Sequence, residues 1–166
     1  MKPSPFRILV LCTGNSARSI LGEALFNHLG KGRIQAFSAG SQPSGKVNPV
    51  ALKTLEKHGI PLPEARSKSW DEFTGANAPK IDFIFTVCAN AAGETCPIWP
   101  GHPATAHWCI ADPAHIEPLA ARREAFETAY RQLRQRIEAF VTLPLETLSA
   151  GEIALAAKHI HGESEQ

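Results

Sequence analysis

The sequence predicts an α/β fold, with four parallel strands in one sheet and helices on both of its faces. Three observations carry this. Short apolar runs of the kind that fill buried strands recur at Phe6–Leu11, Ile34–Ala39, Phe83–Val87 and Ala106–Ile110. Between them lie segments whose apolar residues return every three or four positions, the period of a helix buried along one side. Cys12, Cys88 and Cys109 fall at or near strand ends, where sheets of this class bind their ligands.

Phe6–Leu11 reads as a buried first strand, and the helix after it places Ile20, Leu21, Ala24, Leu25 and Leu29 on one face before stopping near Gly30. Ile34–Ala39 is the second strand. The stretch Gly40–Asn48 is rich in Ser, Gly and Pro and forms a loop. Asn48 then caps a helix over Pro49–His58, with Pro49 at the first helical position, where its missing N–H is not needed. A short helix begins near Ser69, Phe83–Val87 is the third strand and Ala106–Ile110 the fourth. Glu117–Phe140 is mostly helical, and Glu163–Gln166 is a loose tail. No repeat or linker interrupts the chain. With 166 residues and 43% hydrophobic content, it suits one domain spanning 1–166 that builds its own core.

The formal charge is +1, so an anionic substrate is drawn by a local site and not by the overall field, and nucleic acid binding gains no support. The apolar run Ile8–Cys12 is too brief for a signal-peptide core, and no long apolar segment follows. The expectation is a cytoplasmic chain without membrane contact. Four cysteines, at 12, 88, 96 and 109, are too few and too uneven for a secreted disulfide framework; in a reducing compartment they read as catalytic, redox or metal-binding. Cys88, Cys96, His102, His107 and Cys109 lie close in sequence but lack the short spacings of structural zinc. His107 and Trp108 read as strand-end packing residues.

The richest segment is Cys12-Thr13-Gly14-Asn15-Ser16-Ala17-Arg18-Ser19, which joins the first strand to the first helix. A loop that leaves a strand and opens a helix turns several backbone N–H groups toward one point, and the positive end of the helix dipole adds to their pull. A sulfur at such a point favours the thiolate, which is the attacking form. Cys12 is therefore the candidate nucleophile. Six residues of tight loop can wrap a tetrahedral oxyanion with the amides of Thr13, Gly14, Asn15, Ser16 and Ala17, and bring the planar fork of Arg18 to the same oxygens. Gly14 permits unusual torsions, Asn15 tolerates a left-handed conformation, and Ser16 can cap the helix. The competing reading is a buried cysteine ending a core strand, with Arg18 on a solvated helix face.

Asp112, ahead of Pro113 and after the fourth strand, suits a general acid above the loop, because Pro113 biases it toward an extended backbone that projects the carboxyl outward. An ordinary Asp-Pro turn is the alternative. Ser19 can donate its hydroxyl to the Cys12 sulfur, or else cap the helix. Cys88 and Cys96 close the third strand on a segment of small residues that includes Gly93. Thiol exchange needs one sulfur to reach Cys12 and a later one to reach the first, and this pair can do so. Two small buried hydrophobes are the plainer reading.

These motifs together, with His107-Trp108 running to Asp112-Pro113, make the chain resemble the arsenate reductases built on the low-molecular-weight tyrosine phosphatase fold, over nearly its whole length. The resemblance implies that arsenate is reduced to arsenite at the expense of thiols, with phosphate or sulfate as mimics of the substrate. By that likeness Cys12 attacks arsenic, Arg18 and the loop hold the oxyanion, Asp112 protonates the departing oxygen and Cys88 releases arsenite. Cys96 then takes over the disulfide and presents it to an external reductant, thioredoxin or a glutathione/glutaredoxin system, with no bound cofactor and the chain a monomer. Some relatives hold potassium near the loop through residues that match Asn15, Glu23, Ser38 and Asp71. The interval from Cys88 to Cys96 is one residue longer than in the thioredoxin-coupled members, and Cys109 stands where glycine is usual, so Cys109 is a second candidate to complete the relay. A tyrosine phosphatase of the same family is the rival enzyme, and a non-catalytic anion sensor the rival outside enzymes. Ala114 and His115 stand after Asp112-Pro113, where such phosphatases carry aromatic residues for the phosphotyrosine ring, which argues for a small inorganic substrate.

Overall fold

The computed structural model describes residues 5–62, 65–73, 78, 80–87, 105–108 and 110–164. Strand β1 (Phe6–Cys12) leads to helix α1 (Arg18–Leu29), then β2 (Ile34–Gly40), α2 (Pro49–Lys57), a 3-10 turn (Trp70–Phe73), β3 (Phe83–Thr86), β4 (Thr105–His107), α3 (Leu119–Val141) and α4 (Ala150–Ser164). All strand pairs are parallel, and the order across the sheet is β2-β1-β3-β4. The chain thus steps to one side of β1 and then to the other. The carboxyl end of β1 is a topological switch point, where open α/β sheets form their binding crevice.

Both faces of the sheet are covered. Ile8, Val10 and Cys12 of β1 and Phe83 and Phe85 of β3 pack with residues of all four α-helices, among them Ile20 and Leu21, Ala51, Phe126 and Ile153. On the opposite face Leu9, Leu11, Ala39 and Ile84 pack with Phe37, Trp70, Phe73 and Ile81. Trp70, Phe73 and Ile81 belong to the β2-to-β3 connection, so that crossover closes the second face with a 3-10 turn. Central strands buried on both sides must be apolar at successive positions, which is what Ile8-Leu9-Val10-Leu11 supplies.

Helix α2 begins as the sequence predicts: the Asn48 side chain accepts from the Val50 N–H at 2.9 Å, with Pro49 inside the first turn. Two elements differ from expectation. β4 ends at His107 and does not reach Ile110, because the chain there is turned to other partners. The Trp108 N–H still donates to the Thr86 carbonyl at 2.8 Å, but its indole is fully buried and donates through Nε1 to the Ala157 carbonyl at 2.9 Å. The Ile110 carbonyl accepts from Arg18. His107 Nδ1 lies 2.7 Å from Thr86 Oγ1, a strand-end contact as expected. The second difference is α4, which takes Glu163 into a helix where a loose tail was expected. Its start has a legible signal: Ser149 Oγ accepts from the Glu152 N–H at 3.2 Å while Glu152 accepts from the Ser149 N–H at 3.0 Å, a capping box in the sequence Ser-Ala-Gly-Glu.

Trp108 joins an aromatic cluster in the main core, with ring centroids 4.3 Å from Phe85 and 6.1 Å from Phe26, and Phe140 edge-on to Phe85. Trp108→Ala removes a fully buried ring and a buried hydrogen bond, and is expected to cost about 3–5 kcal/mol. Urea unfolding should show a lower midpoint at an unchanged slope. Among the described residues no helix is long and apolar enough to cross a membrane.

Candidate active site

The site is built where β1 stops and α1 starts. Residues 13–17 bridge Cys12 and Arg18, and their carbonyls are pulled outward: Thr13 O accepts from the Gln42 N–H, Gly14 O from the Ser44 N–H and the Ser67 hydroxyl, and Ser16 O from the Asn48 N–H, at 2.9–3.1 Å. Turning the carbonyls out turns the amides in. Among the described residues no hydrogen bond takes up the N–H groups of Gly14, Asn15, Ser16 or Ala17. Gly14, Ser16 and Ala17 line a cavity of about 500 Å³ together with Cys12, Thr13 and Arg18. Unpaired amides at the start of a helix are the donors that an anion needs.

Two expectations about the loop change here. Ser16 does not cap α1; the N-cap is Ala17, with no side-chain hydrogen bond. A capping hydroxyl would consume one of the amides that the cavity leaves for a ligand. Of the two residues expected to supply unusual torsions, Asn15 alone has a positive φ, 47°, which asparagine tolerates better than most residues.

The fully buried Asn15 side chain has its amide orientation set by its partners. The Lys68 N–H can only donate, and it meets Asn15 Oδ1 at 2.9 Å; the other end of the amide is therefore Nδ2, which donates to Ser19 Oγ at 2.8 Å. Ser19 Oγ thus accepts from Asn15 and lies 3.0 Å from Cys12 Sγ, where it is the donor whenever the sulfur is a thiolate, which has no proton to give. The hydroxyl oxygen stands against the sulfur and does not cap the helix.

Arg18, 4% exposed, donates through Nη1 to the Ile110 carbonyl at 3.0 Å and lies 3.6 Å through Nη2 from Asp112 Oδ2. Asp112 reaches this position through its own turn, since its Oδ1 accepts from the Ala114 N–H at 3.0 Å. The Asp-Pro turn given as the alternative is present, and the same turn sets the carboxyl at the cavity beside Arg18. Its carboxyl, about one-third exposed, lines the cavity opposite the Cys12 loop, with the exposed His115 ring 3.8 Å away. Cys88, Cys96 and Cys109 lie outside the described residues, and so do the relay contacts expected of them.

Of the four residues that resemblance assigns to potassium, the structure brings Glu23 and Ser38 together, with Ser38 Oγ donating to Glu23 Oε1 at 2.6 Å. Lys68 Nζ stands beside both, 3.6 Å from Glu23 Oε1 and 3.5 Å from Ser38 Oγ, and donates to the Arg66 carbonyl at 3.0 Å. Burial pushes the Lys68 ammonium below its ordinary pKa, while Glu23 pulls it back up. Asn15 reaches this group through the Lys68 main chain alone. Asp71 donates its N–H to Ser69 Oγ at 3.1 Å.

Residues 7–153 match the family described as low molecular weight phosphotyrosine protein phosphatase. The chain belongs to that family. It is 36% identical over 135 residues to the arsenate reductase of Bacillus licheniformis, covering 80% of this chain and 93% of that one. It is 34% identical over 134 residues to the arsenate reductase of Shouchella clausii, with the same coverage. Among solved structures it superposes on arsenate reductase from Archaeoglobus fulgidus with a TM-score of 0.67 at 26% identity, over 82% of this chain and 99% of that one. The tyrosine phosphatase Wzb from Escherichia coli K30, solved with sulphate, gives a TM-score of 0.59 at 26% identity, over 84% and 98%.

Within this family fold, several site residues escape motif reading because they act through the main chain. Gly40 stands opposite Cys12 in the β1–β2 register, and a Cβ there would lie 2.4 Å from Thr13 O and 3.0 Å from Asn15 N. Lys68 holds Asn15. Lys46 and His115 line the cavity mouth. No Phe, Tyr or Trp is among the described residues that line it, and Ala114, Val47 and Pro49 stand there instead. The arrangement can bind a tetrahedral oxyanion, attack its central atom with sulfur and supply a proton from the far side.

Proposed function

We propose that this chain reduces arsenate to arsenite by a thiol relay that starts at Cys12. The observation that carries the reading is the gathering of Cys12 Sγ, with Ser19 Oγ beside it, and the Arg18–Asp112 pair around one cavity, with no Phe, Tyr or Trp among the described residues that line it. The similarity to relatives named arsenate reductase supports it.

The loop amides and Arg18 bind the oxyanion, and the Cys12 sulfur forms a bond to arsenic as one As–O bond breaks. Asp112 gives the leaving oxygen its proton, so that it departs as water. Cys88 then attacks the Cys12 sulfur; the S–As electron pair stays on arsenic, which leaves as arsenite, and two thiols have become one disulfide. Cys96, or Cys109 in its place, attacks Cys88 and frees Cys12. Thioredoxin reduces the final disulfide. The reading places a monomer in the reducing cytoplasm, where such thiols persist.

The test is steady-state arsenate reduction with thioredoxin and with glutaredoxin systems, beside hydrolysis of an aryl phosphate. Wild type is expected to turn over arsenate with thioredoxin. Cys88→Ala should stall after the first adduct, with no intramolecular disulfide by mass mapping. Aryl phosphate hydrolysis in a protein that leaves arsenate unreduced would make it a phosphatase, and normal turnover of Cys88→Ala would remove the relay.

A further inference from the structure

We propose that the Lys68 ammonium is a built-in monovalent cation, held by Glu23 and Ser38 beside the nucleophile loop in place of a potassium ion. Glu23 on α1 and Ser38 on β2 form a pocket of negative polarity, with side-chain exposure of 14% at Glu23 and 9% at Lys68. A carboxylate this sheltered needs a positive partner. The Lys68 Nζ lies against Glu23 Oε1, Ser38 Oγ and Arg66 O, three oxygens of the type an alkali cation would seek. An ammonium and a potassium ion compete for the same oxygens, and like charges exclude each other at this range.

The consequence runs to the sulfur through one residue. Lys68 also presents its main-chain N–H to Asn15 Oδ1 and its carbonyl to the Gly40 N–H at 2.9 Å. Anchoring the ammonium therefore fixes the strip that orients Asn15, and Asn15 in turn holds Ser19 Oγ against Cys12 Sγ. Lys68 touches no substrate; it is a positioning residue. The inference rests on the loop as an anion-binding nucleophile loop and not on which oxyanion is reduced.

The experiment compares KCl with choline chloride at equal ionic strength. It reads the rate of Cys12 alkylation by iodoacetamide, assigned by mass mapping, and the sulfate concentration that protects it. For wild type both readings should agree between the two salts within about twofold. Lys68→Met and Lys68→Gln remove the charge, the second keeping a hydrogen-bonding head. In choline each should need about tenfold more sulfate for protection, and KCl should restore most of the loss. A wild type that KCl stimulates beyond that range overturns the proposal. So does a Lys68→Gln that matches wild type in choline, or a loss in both variants that KCl leaves unchanged. Should neither variant fold in either salt, the wild-type comparison decides. Because alkylation and sulfate protection require no arsenate turnover, failure of the reductase reading leaves this test standing.

Discussion

Cys12→Ser is expected to abolish arsenate reduction, by at least about 10⁴-fold, while leaving oxyanion binding in place. A hydroxyl at this position remains protonated at neutral pH where a thiol can ionise, so the first attack fails. Were it to occur, oxygen could not go on to form a disulfide with Cys88, and arsenic would keep its oxidation state. The substitution is small: Cys12 is 3% exposed, ends β1, and the Ser19 hydroxyl it faces can pair equally well with oxygen. The amides of residues 14–17 and Arg18 are untouched. Sulfate should therefore stabilise Cys12→Ser against heat as it does wild type, by about 2.7 kcal/mol at a hundredfold excess over its dissociation constant. Residual arsenate turnover in Cys12→Ser would move the nucleophile elsewhere. Loss of the sulfate effect would mean that the sulfur itself organises the loop.

Gly40→Ala is expected to slow turnover and destabilise the fold although Gly40 lies outside the Cys12–Arg18 segment. Its Cβ would meet the Thr13 carbonyl at 2.4 Å, the Asn15 nitrogen at 3.0 Å and the Asn15 Cβ at 3.1 Å. None of these can step aside cheaply, since Thr13 O is tied to Gln42 and Asn15 to both Lys68 and Ser19. Either the loop moves or the end of β2 leaves its place opposite Cys12. A displacement near 1 Å at a reacting group costs on the order of 100-fold in rate, and overpacking of this kind roughly 1–3 kcal/mol in stability. Steady-state kinetics with denaturant unfolding would separate the two effects. Gly14→Ala is the control: although it lies in the motif, its Cβ would find only Ser16 Oγ at 3.8 Å and no positive φ opposes it, so it should lose less stability. Wild-type kinetics in Gly40→Ala would show that the loop is more pliant than its hydrogen bonds imply.

Cys12, Arg18, Ser19 and Asp112 are legible in the sequence because each sits at a local boundary. The change from an apolar run to helical periodicity marks the loop, and Pro113 marks the turn that carries Asp112. The β4 boundary is less so: Trp108 and Ile110 look like strand residues, and only their partners, Ala157 and Arg18, reveal that the chain has left the sheet. α4 has a local start signal too, since its Ser149–Glu152 capping box is written in four consecutive residues. Lys68 offers no such sign. It is 53 positions from Asn15 and 30 from Ser38, and neither periodicity nor spacing joins them.

The amino-acid order by itself determined the alternation of strands and helices, the loop that joins Cys12 to Arg18, and the turn that carries Asp112, since turn chemistry, capping and hydrophobic period act over a few residues. Tertiary structure alone decided which amides stay unpaired, which glycine the loop leans on, and that an ammonium stands beside Glu23. Those depend on parallel register and on crossovers, which bring distant main-chain groups within 3 Å of one another through packing that no short stretch of sequence encodes.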